Sequence, residues 1–247
     1  TGPKLNFAGP PGLGPDQGEN TYSVCSLPHV LQTRDKYLEY VERMKKGEKV
    51  KMVIGTGHPG ATCQGAAFEF IVNIHKDLVK KGVRDKAELM WLSNEAALGD
   101  FGVRGIRAKF QGKLTSSEEF ISAVFKDHDI KWQVQTGVKK VDTDKIYWEN
   151  YEGETGETEY DFAMLIPQFL GQPIQYIGKD GQDVSEKVVN KPGFVLVDGI
   201  YGLPYDVLER NPDAWPSQYQ NPNYRNIFAA GIAFAPPGPI SRPHTTP

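Results

Sequence analysis

Residues 51–65, KMVIGTGHPGATCQG, carry the residue types and spacings best suited to chemistry in this chain. A short apolar run ends in Gly55-Thr56-Gly57-His58-Pro59-Gly60, and a helical pattern follows at once. That order predicts the strand, glycine turn and helix of a nucleotide-binding βαβ unit. Cys63 falls where the first turn of the helix begins. A thiol there meets orphan backbone N–H groups and the positive end of the helix dipole, and both favour the thiolate. A nucleotide fold with a reactive cysteine points to redox chemistry. The plainer alternative is a small residue packing the start of a helix.

Glu69 follows Cys63 by six positions, which on a helix sets the two about 240° apart around the axis. It stands between Phe68 and Phe70. A carboxylate among aromatics has a raised pKa and can relay protons; the alternative is a solvated helix-face glutamate. The glycines 55, 57 and 60 fit the dinucleotide spacing GxGxxG. The acidic residue expected about 20 positions later is displaced, however, and the nearest candidate is Glu95. Pro59 also removes one N–H that a phosphate could use.

The elements around these residues follow from periodicity. Residues 27–46 and 61–82 read as helices, the second closing on Lys80-Lys81-Gly82. Residues 118–126 form a third, capped by Ser116 or Ser117. Strands are predicted at 49–54, 87–92, 130–134, 139–142, 162–166, 194–197 and 227–230. A hairpin at 145–148 and 157–160 turns around Gly153-Glu154-Thr155-Gly156. Residues 1–24 and 235–247 read as irregular, and 199–225 as a long surface insertion. The alternation of strands and helices predicts an α/β fold.

Composition narrows the classes. The chain has 247 residues, 39% of them hydrophobic, and a net charge of −3; its pI is near 6.0. That balance argues against nucleic acid as the main partner. No apolar run reaches the roughly 18 residues of a membrane span. The two cysteines, Cys25 and Cys63, form neither a disulfide scaffold nor a CxxC metal site, so no metal is expected. No internal repeat is present. The opening Thr1-Gly2-Pro3 in place of Met suggests a piece of a longer protein.

Several segments match one family in the right order: Thr1-Gly2-Pro3-Lys4-Leu5, Cys25 with His29 four residues on, residues 60–70 (GATCQGAAFEF), and Asn226-Ile227-Phe228-Ala229-Ala230-Gly231. Through them the chain resembles the sulfide:quinone oxidoreductases, membrane-associated flavoproteins of the pyridine nucleotide-disulfide oxidoreductase superfamily. Segment 60–70 is the most specific part. The resemblance implies tandem Rossmann-like, FAD/NAD(P)-binding domains, one inserted in the other. Residues 1–48 would be the tail of the first half of the FAD domain, 49–158 the inserted domain with the redox cysteine, and 159–247 an incomplete second half. The family's FAD glycine loop would precede residue 1 and its membrane segment would follow residue 247. The expectation is a soluble chain from a peripherally membrane-bound protein, with a homo-oligomer allowed.

The resemblance also implies roles. Cys63 would be one of two redox cysteines holding a disulfide or polysulfide bridge beside FAD, its partner lying beyond residue 247. Sulfide would attack that bridge, and a quinone would take the electrons. Cys25 would shuttle sulfur or link the flavin, with an exposed loop thiol as the alternative. A Cys25–Cys63 bridge is not expected. His29 would deliver a proton toward quinone, or simply bond at the helix start. Glu69 would relay protons. Thr1 and Gly2, with Gly57, Gly60, Gly231 and Ile232, would contact the cofactor; Ile232 stands where most of the superfamily has an Asp. Asp100 stands where the family has a second histidine. The nicotinamide site would be vestigial. The competing readings are a flavocytochrome c sulfide dehydrogenase, a type-II NADH:quinone oxidoreductase, and a folded core with neither FAD nor activity.

Overall fold

The computed structural model describes residues 3–15, 17, 21–101 and 105–238. In chain order the elements begin β1 (Lys4–Asn6), α1 (Leu27–Lys45), β2 (Val50–Thr56), α2 (Gln64–Lys80) and β3 (Ala87–Leu92). They continue β4 (Arg107–Phe110), β5 (Lys113–Ser116), α3 (Ser117–Asp127), β6 (Ile130–Gln133) and β7 (Thr136–Val141). The rest are β8 (Lys145–Asn150), β9 (Thr155–Glu159), β10 (Phe162–Ile166), β11 (Gln168–Leu170), α4 (Ser185–Val188) and α5 (Tyr205–Arg210). Residues 7–168 form one compact unit, and residues 169–238 with 3–6 form another.

The larger unit is built on a four-stranded parallel sheet in the order β10-β2-β3-β6. Every residue of β10 is buried, as is all of β2 except Lys51. Such continuous apolar runs are what a sheet covered on both faces requires. β10 lies beyond residue 158 in sequence, yet it pairs with β2 from Phe162↔Met52 to Ile166↔Thr56. Helix α2 turns Gln64, Ala67, Ile71, Ile74 and Leu78 inward, a spacing of three and four that gives one buried stripe. Tyr37 of α1 donates to Asp77 Oδ2 of α2 at 2.7 Å, fixing the two helices side by side. Helix α3 starts in a full capping box between Ser116 and Glu119.

Two antiparallel pieces complete this unit, the β7-β8-β9 meander and the β4–β5 hairpin. The sequence reading contains no β4–β5 hairpin. Its turn places Gln111 and Gly112 at φ of 48° and 84°, the two left-handed residues of a type I′ turn.

In the smaller unit β1 pairs with β11. The strands expected at 194–197 and 227–230 are isolated bridges instead: Val195 pairs singly with Val189 and Phe234, and Phe228 with Gln220. At 194–197 the reason is local competition for carbonyls. The buried Asn221 amide donates to the carbonyls of Lys187, Val188 and Leu196, at 3.2, 3.2 and 3.0 Å, so a side chain replaces a strand partner. The 199–225 segment is pinned at its far end by Asp198. That carboxylate accepts the N–H groups of Ser217 and Gln218 at 3.0 and 2.8 Å. Desolvation pushes its pKa up, but the donors together outweigh it and hold it down at about 2.

Candidate functional site

Cys63 is the N-cap of α2, one residue outside its first turn, and its backbone is left-handed at φ 67°, ψ 34°. Helix N-caps normally hold Ser, Thr, Asp or Asn in an extended conformation, with the side chain accepting a backbone N–H. Cys63 makes no such cap bond. A residue with a Cβ in this region is strained by about 1–2 kcal/mol, and strain of this kind collects at functional positions. The thiol is half-buried and free. Burial pushes its pKa up, against a smaller opposing hydrogen bond with Thr62. The lowered thiol expected from the helix terminus is therefore not found, because desolvation is the larger effect.

A single buried side chain shapes the turn before Cys63. Asn94, at the end of β3, is completely shielded from solvent. Its amide nitrogen donates to the carbonyls of Pro59 at 2.6 Å and Ala61 at 3.1 Å. Its amide oxygen accepts from Thr56 Oγ1 at 3.0 Å and Gln64 Nε2 at 3.3 Å. The Asn94 N–H donates back to Thr56 Oγ1 at 3.0 Å. One amide thus ties the end of β2, the glycine turn and the first turn of α2 together around Cys63.

The glycine turn itself is closed. Gly57 N–H donates to Ile166 O at 2.8 Å and Ala61 N–H to His58 O at 2.9 Å. Gly60 N–H donates to His58 Nδ1 at 2.9 Å. Burial lowers the His58 pKa, keeping that ring nitrogen an acceptor. A Cβ on Gly55 would lie 1.8 Å from Leu92 O, and one on Gly57 would lie 2.7 Å from Leu13 Cδ1. These glycines let the backbone pack against its own neighbours. With three amides engaged inward and Pro59 lacking one, the turn does not fit a dinucleotide pyrophosphate.

Cys25 is also half-buried and free. Its N–H donates to Ser23 Oγ at 3.1 Å, and Ser23 is held to α1 by Thr33, whose hydroxyl donates to Ser23 O at 2.7 Å. Burial raises the Cys25 thiol, against a hydrogen bond with Ser23, and charge on Cys63 adds a smaller push upward. His29 lies in the first turn of α1, where its N–H reaches Ser26 Oγ at 3.4 Å and its ring meets Phe7 edge-on at 5.3 Å. Glu69 is exposed on α2. The aromatic surroundings expected for it are absent because Phe68 turns the other way, to stack on Phe125 at 5.7 Å. Thr1 and Gly2 lie outside the described residues.

The buried carboxyl lies elsewhere. Glu95, which the sequence offered only as a displaced ribose ligand, is sealed from solvent beside Asn94. Burial, with Asp100 adding, pushes its pKa up to about 7, against hydrogen bonds from Phe101 N–H at 3.0 Å, Ser93 Oγ at 2.9 Å and Trp91 Nε1 at 3.3 Å. A carboxyl whose folded pKa exceeds the ordinary 4.5 stabilises the fold fully below that value, and loses its contribution as pH rises through the folded pKa. Between pH 4.5 and 8, Glu95 is expected to remove on the order of 3 kcal/mol of stability. Comparing urea unfolding of the wild type and Glu95→Gln across that range checks this: the difference between them should carry the slope. Equal pH profiles would refute it.

In the smaller unit Gly231 is left-handed at φ 61°, with nothing within 4 Å of where a Cβ would stand. Ala230, Ile232 and Ala233 line a cavity of about 80 Å³ with Pro3, Gly171 and Phe194. The backbone at Gly231 is therefore open on the side where a Cβ would stand. Among the described residues no cluster of His, Cys, Asp or Glu is arranged to hold a metal ion.

No protein-family model matches the chain. Over 242 residues it is 32% identical to a sulfide-quinone reductase of Aquifex aeolicus (strain VF5), a match spanning 98% of this chain and 46% of that protein. The X-ray structure of the sulfide:quinone oxidoreductase from the hyperthermophilic bacterium Aquifex aeolicus matches with a TM-score of 0.70 at 30% identity, covering 95% of this chain and 45% of that one. The chain is a homologue of the sulfide-quinone reductases. It spans about half the length of the relatives it matches. A structure of NDH2 from Plasmodium falciparum in complex with RYL-552 matches with a TM-score of 0.52 at 15% identity, covering 80% of this chain and 38% of that one, a likeness of fold alone. The homology and the parallel sheet bear out the FAD/NAD(P)-binding, Rossmann-type α/β fold.

Proposed function

We propose that this chain carries the sulfur-handling part of a flavoenzyme that oxidises sulfide to a persulfide or polysulfide and passes the electrons through FAD to a quinone. The observation that carries the reading is the strained, half-buried Cys63 at the α2 N-cap, in a chain homologous to sulfide-quinone reductase. Hydrosulfide attacks the sulfur on Cys63 of a bridge between Cys63 and a second cysteine. The S–S bond breaks, a persulfide stays on Cys63, and the other sulfur leaves as thiolate. Bound FAD would accept the electron pair. Cys25, whose thiol feels charge on Cys63, receives or hands on sulfur. His29 moves a proton toward quinone, and Glu69, exposed on α2, exchanges protons with solvent.

Gly231 and Ile232 are assigned to the flavin, together with Thr1 and Gly2, whereas Gly57 and Gly60 shape the turn. In this reading residues 49–158 are the inserted domain, flanked by FAD half-domains at 1–48 and 159–247. Among the described residues no helix is long and apolar enough to cross a membrane; peripheral attachment is assigned to segments outside this chain.

The test uses the full-length protein under anaerobic conditions, following flavin bleaching after sulfide and, separately, after NADH. Fast bleaching by sulfide alone is expected. Bleaching by NADH alone would overturn the reading and favour an NADH:quinone oxidoreductase, which the inward-turned amides of Gly57, Gly60 and Ala61 argue against.

A further inference from the structure

The β4–β5 hairpin pairs only with itself, and its charge and exposure differ from the rest of the chain. Ile106, Phe110 and Leu114 are 55, 49 and 63% exposed, and the neighbouring Phe120 of α3 is 43% exposed. Phe110 and Phe120 meet edge to face at 5.5 Å, flanking an apolar groove of about 260 Å³ lined also by Ile106 and Ala108. Every charged residue between 106 and 116 is basic: Arg107, Lys109 and Lys113, all exposed. The chain as a whole has a net charge of −3, so this is a local reversal. Two acids follow the hairpin, Glu118 and Glu119; Glu119 accepts Ser116 N–H at 2.9 Å in the capping box and approaches Lys113 at 4.0 Å.

The register sets the two cations nearest the tip beside apolar side chains, while Arg107 stands opposite Ser116. Lys109 stands opposite Leu114 and Phe110 opposite Lys113, so both faces of the tip carry one of each. Protein-binding patches are depleted in lysine at their centres. Bilayer interfaces favour this pattern, with aromatic and aliphatic groups entering the headgroup boundary while long cationic side chains reach outward to phosphate. A two-stranded hairpin alone is also marginally stable, so a covering phase stabilises it.

We propose that the β4–β5 hairpin is a membrane-contact element that inserts its tip, Phe110 to Leu114, into the interface of an anionic bilayer. The inference does not depend on the sulfide reading. It adds a contact within this chain to whatever attachment other segments provide.

The test is hydrogen exchange on the 247-residue chain with phosphatidylglycerol vesicles, phosphatidylcholine vesicles, or no lipid. Protection of the 106–116 peptides is expected with phosphatidylglycerol, weakened by salt, and near zero with phosphatidylcholine. Reversing Lys109→Glu and Lys113→Glu together should weaken vesicle binding about thirtyfold or more, taking roughly fivefold for each cation lost. Phe110→Ser with Leu114→Ser should abolish the protection, and thermal melts confirm that the variants fold. No vesicle binding, binding without protection of 106–116, or wild-type binding by the charge-reversed variant would each overturn the proposal. So would concentration-dependent protection without lipid, which would make the hairpin a protein interface. None of these readouts involves sulfide or flavin, so either reading can fail alone.

Discussion

Replacing Cys63 by serine in the full-length protein is expected to slow anaerobic flavin reduction by sulfide at least about a thousandfold. Serine keeps the size of the side chain and is a preferred N-cap, so α2 should form as before. What is lost is the sulfur that hydrosulfide attacks and on which the persulfide resides. Cys63→Gly should lose activity equally but gain about 1 kcal/mol of stability, because glycine accepts φ 67° without strain. Activity and stability would then move in opposite directions at one position, a signature of strain kept for function. Stopped-flow bleaching with sulfide, alongside urea unfolding, reads both. Near-wild-type bleaching in either variant would remove Cys63 from the chemistry. A loss of stability in the glycine variant would show that the left-handed backbone is not the cost assigned to it.

The second large effect is expected at Asn94. Its amide reaches Pro59, Ala61, Thr56 and Gln64 from a site closed to solvent. Asn94→Ala deprives the part-buried Pro59 carbonyl, the Ala61 carbonyl, the Thr56 hydroxyl and the Gln64 amide of a hydrogen-bond partner. A loss of about 3–5 kcal/mol follows, lowering the melting temperature by roughly 10 °C. Below the melt, the loosened turn should expose Cys63, so a thiol reagent should modify it faster than in the wild type while Cys25 changes less. Calorimetry and timed labelling check the two parts. A variant that melts like the wild type would mean that the turn is held by packing alone. Unchanged Cys63 labelling would separate the network from the thiol it surrounds.

The parallel sheet and α2 were legible because their apolar runs and three-and-four spacing follow directly from burial on one face or two. The cap position of Cys63 was legible as well, since a strand, glycine turn and helix leave little choice of register. Its strain and its raised thiol were not, because both depend on what packs around the turn. Asn94 was hidden for a related reason: a polar residue just after a strand reads as a loop, and only the closed turn opposite shows why it is buried. Glu95 and Glu69 exchanged environments for the same lack of tertiary information. The β4–β5 hairpin escaped because Gln111-Gly112 is not the Asn-Gly or Asp-Gly signal of a tight turn, and Gln111 adopts φ 48° without it. The missing strand at 194–197 has the right composition, but the Asn221 side chain takes the carbonyls of Lys187, Val188 and Leu196 that a ladder would have used; nothing in the structure explains the missing strand at 227–230.

The inward-turned glycine turn also bears on how this sequence can change over time. Gly57, Gly60 and Ala61 each donate to a neighbour in the fold, and Pro59 has nothing to donate. Freeing one amide by a change at His58 leaves the turn held by Ile166 O and by Asn94. A sequence acquiring a phosphate pocket here would have to alter several mutually supporting contacts. The bonds that close the turn against a phosphate are thus the same bonds that hold the cysteine in place.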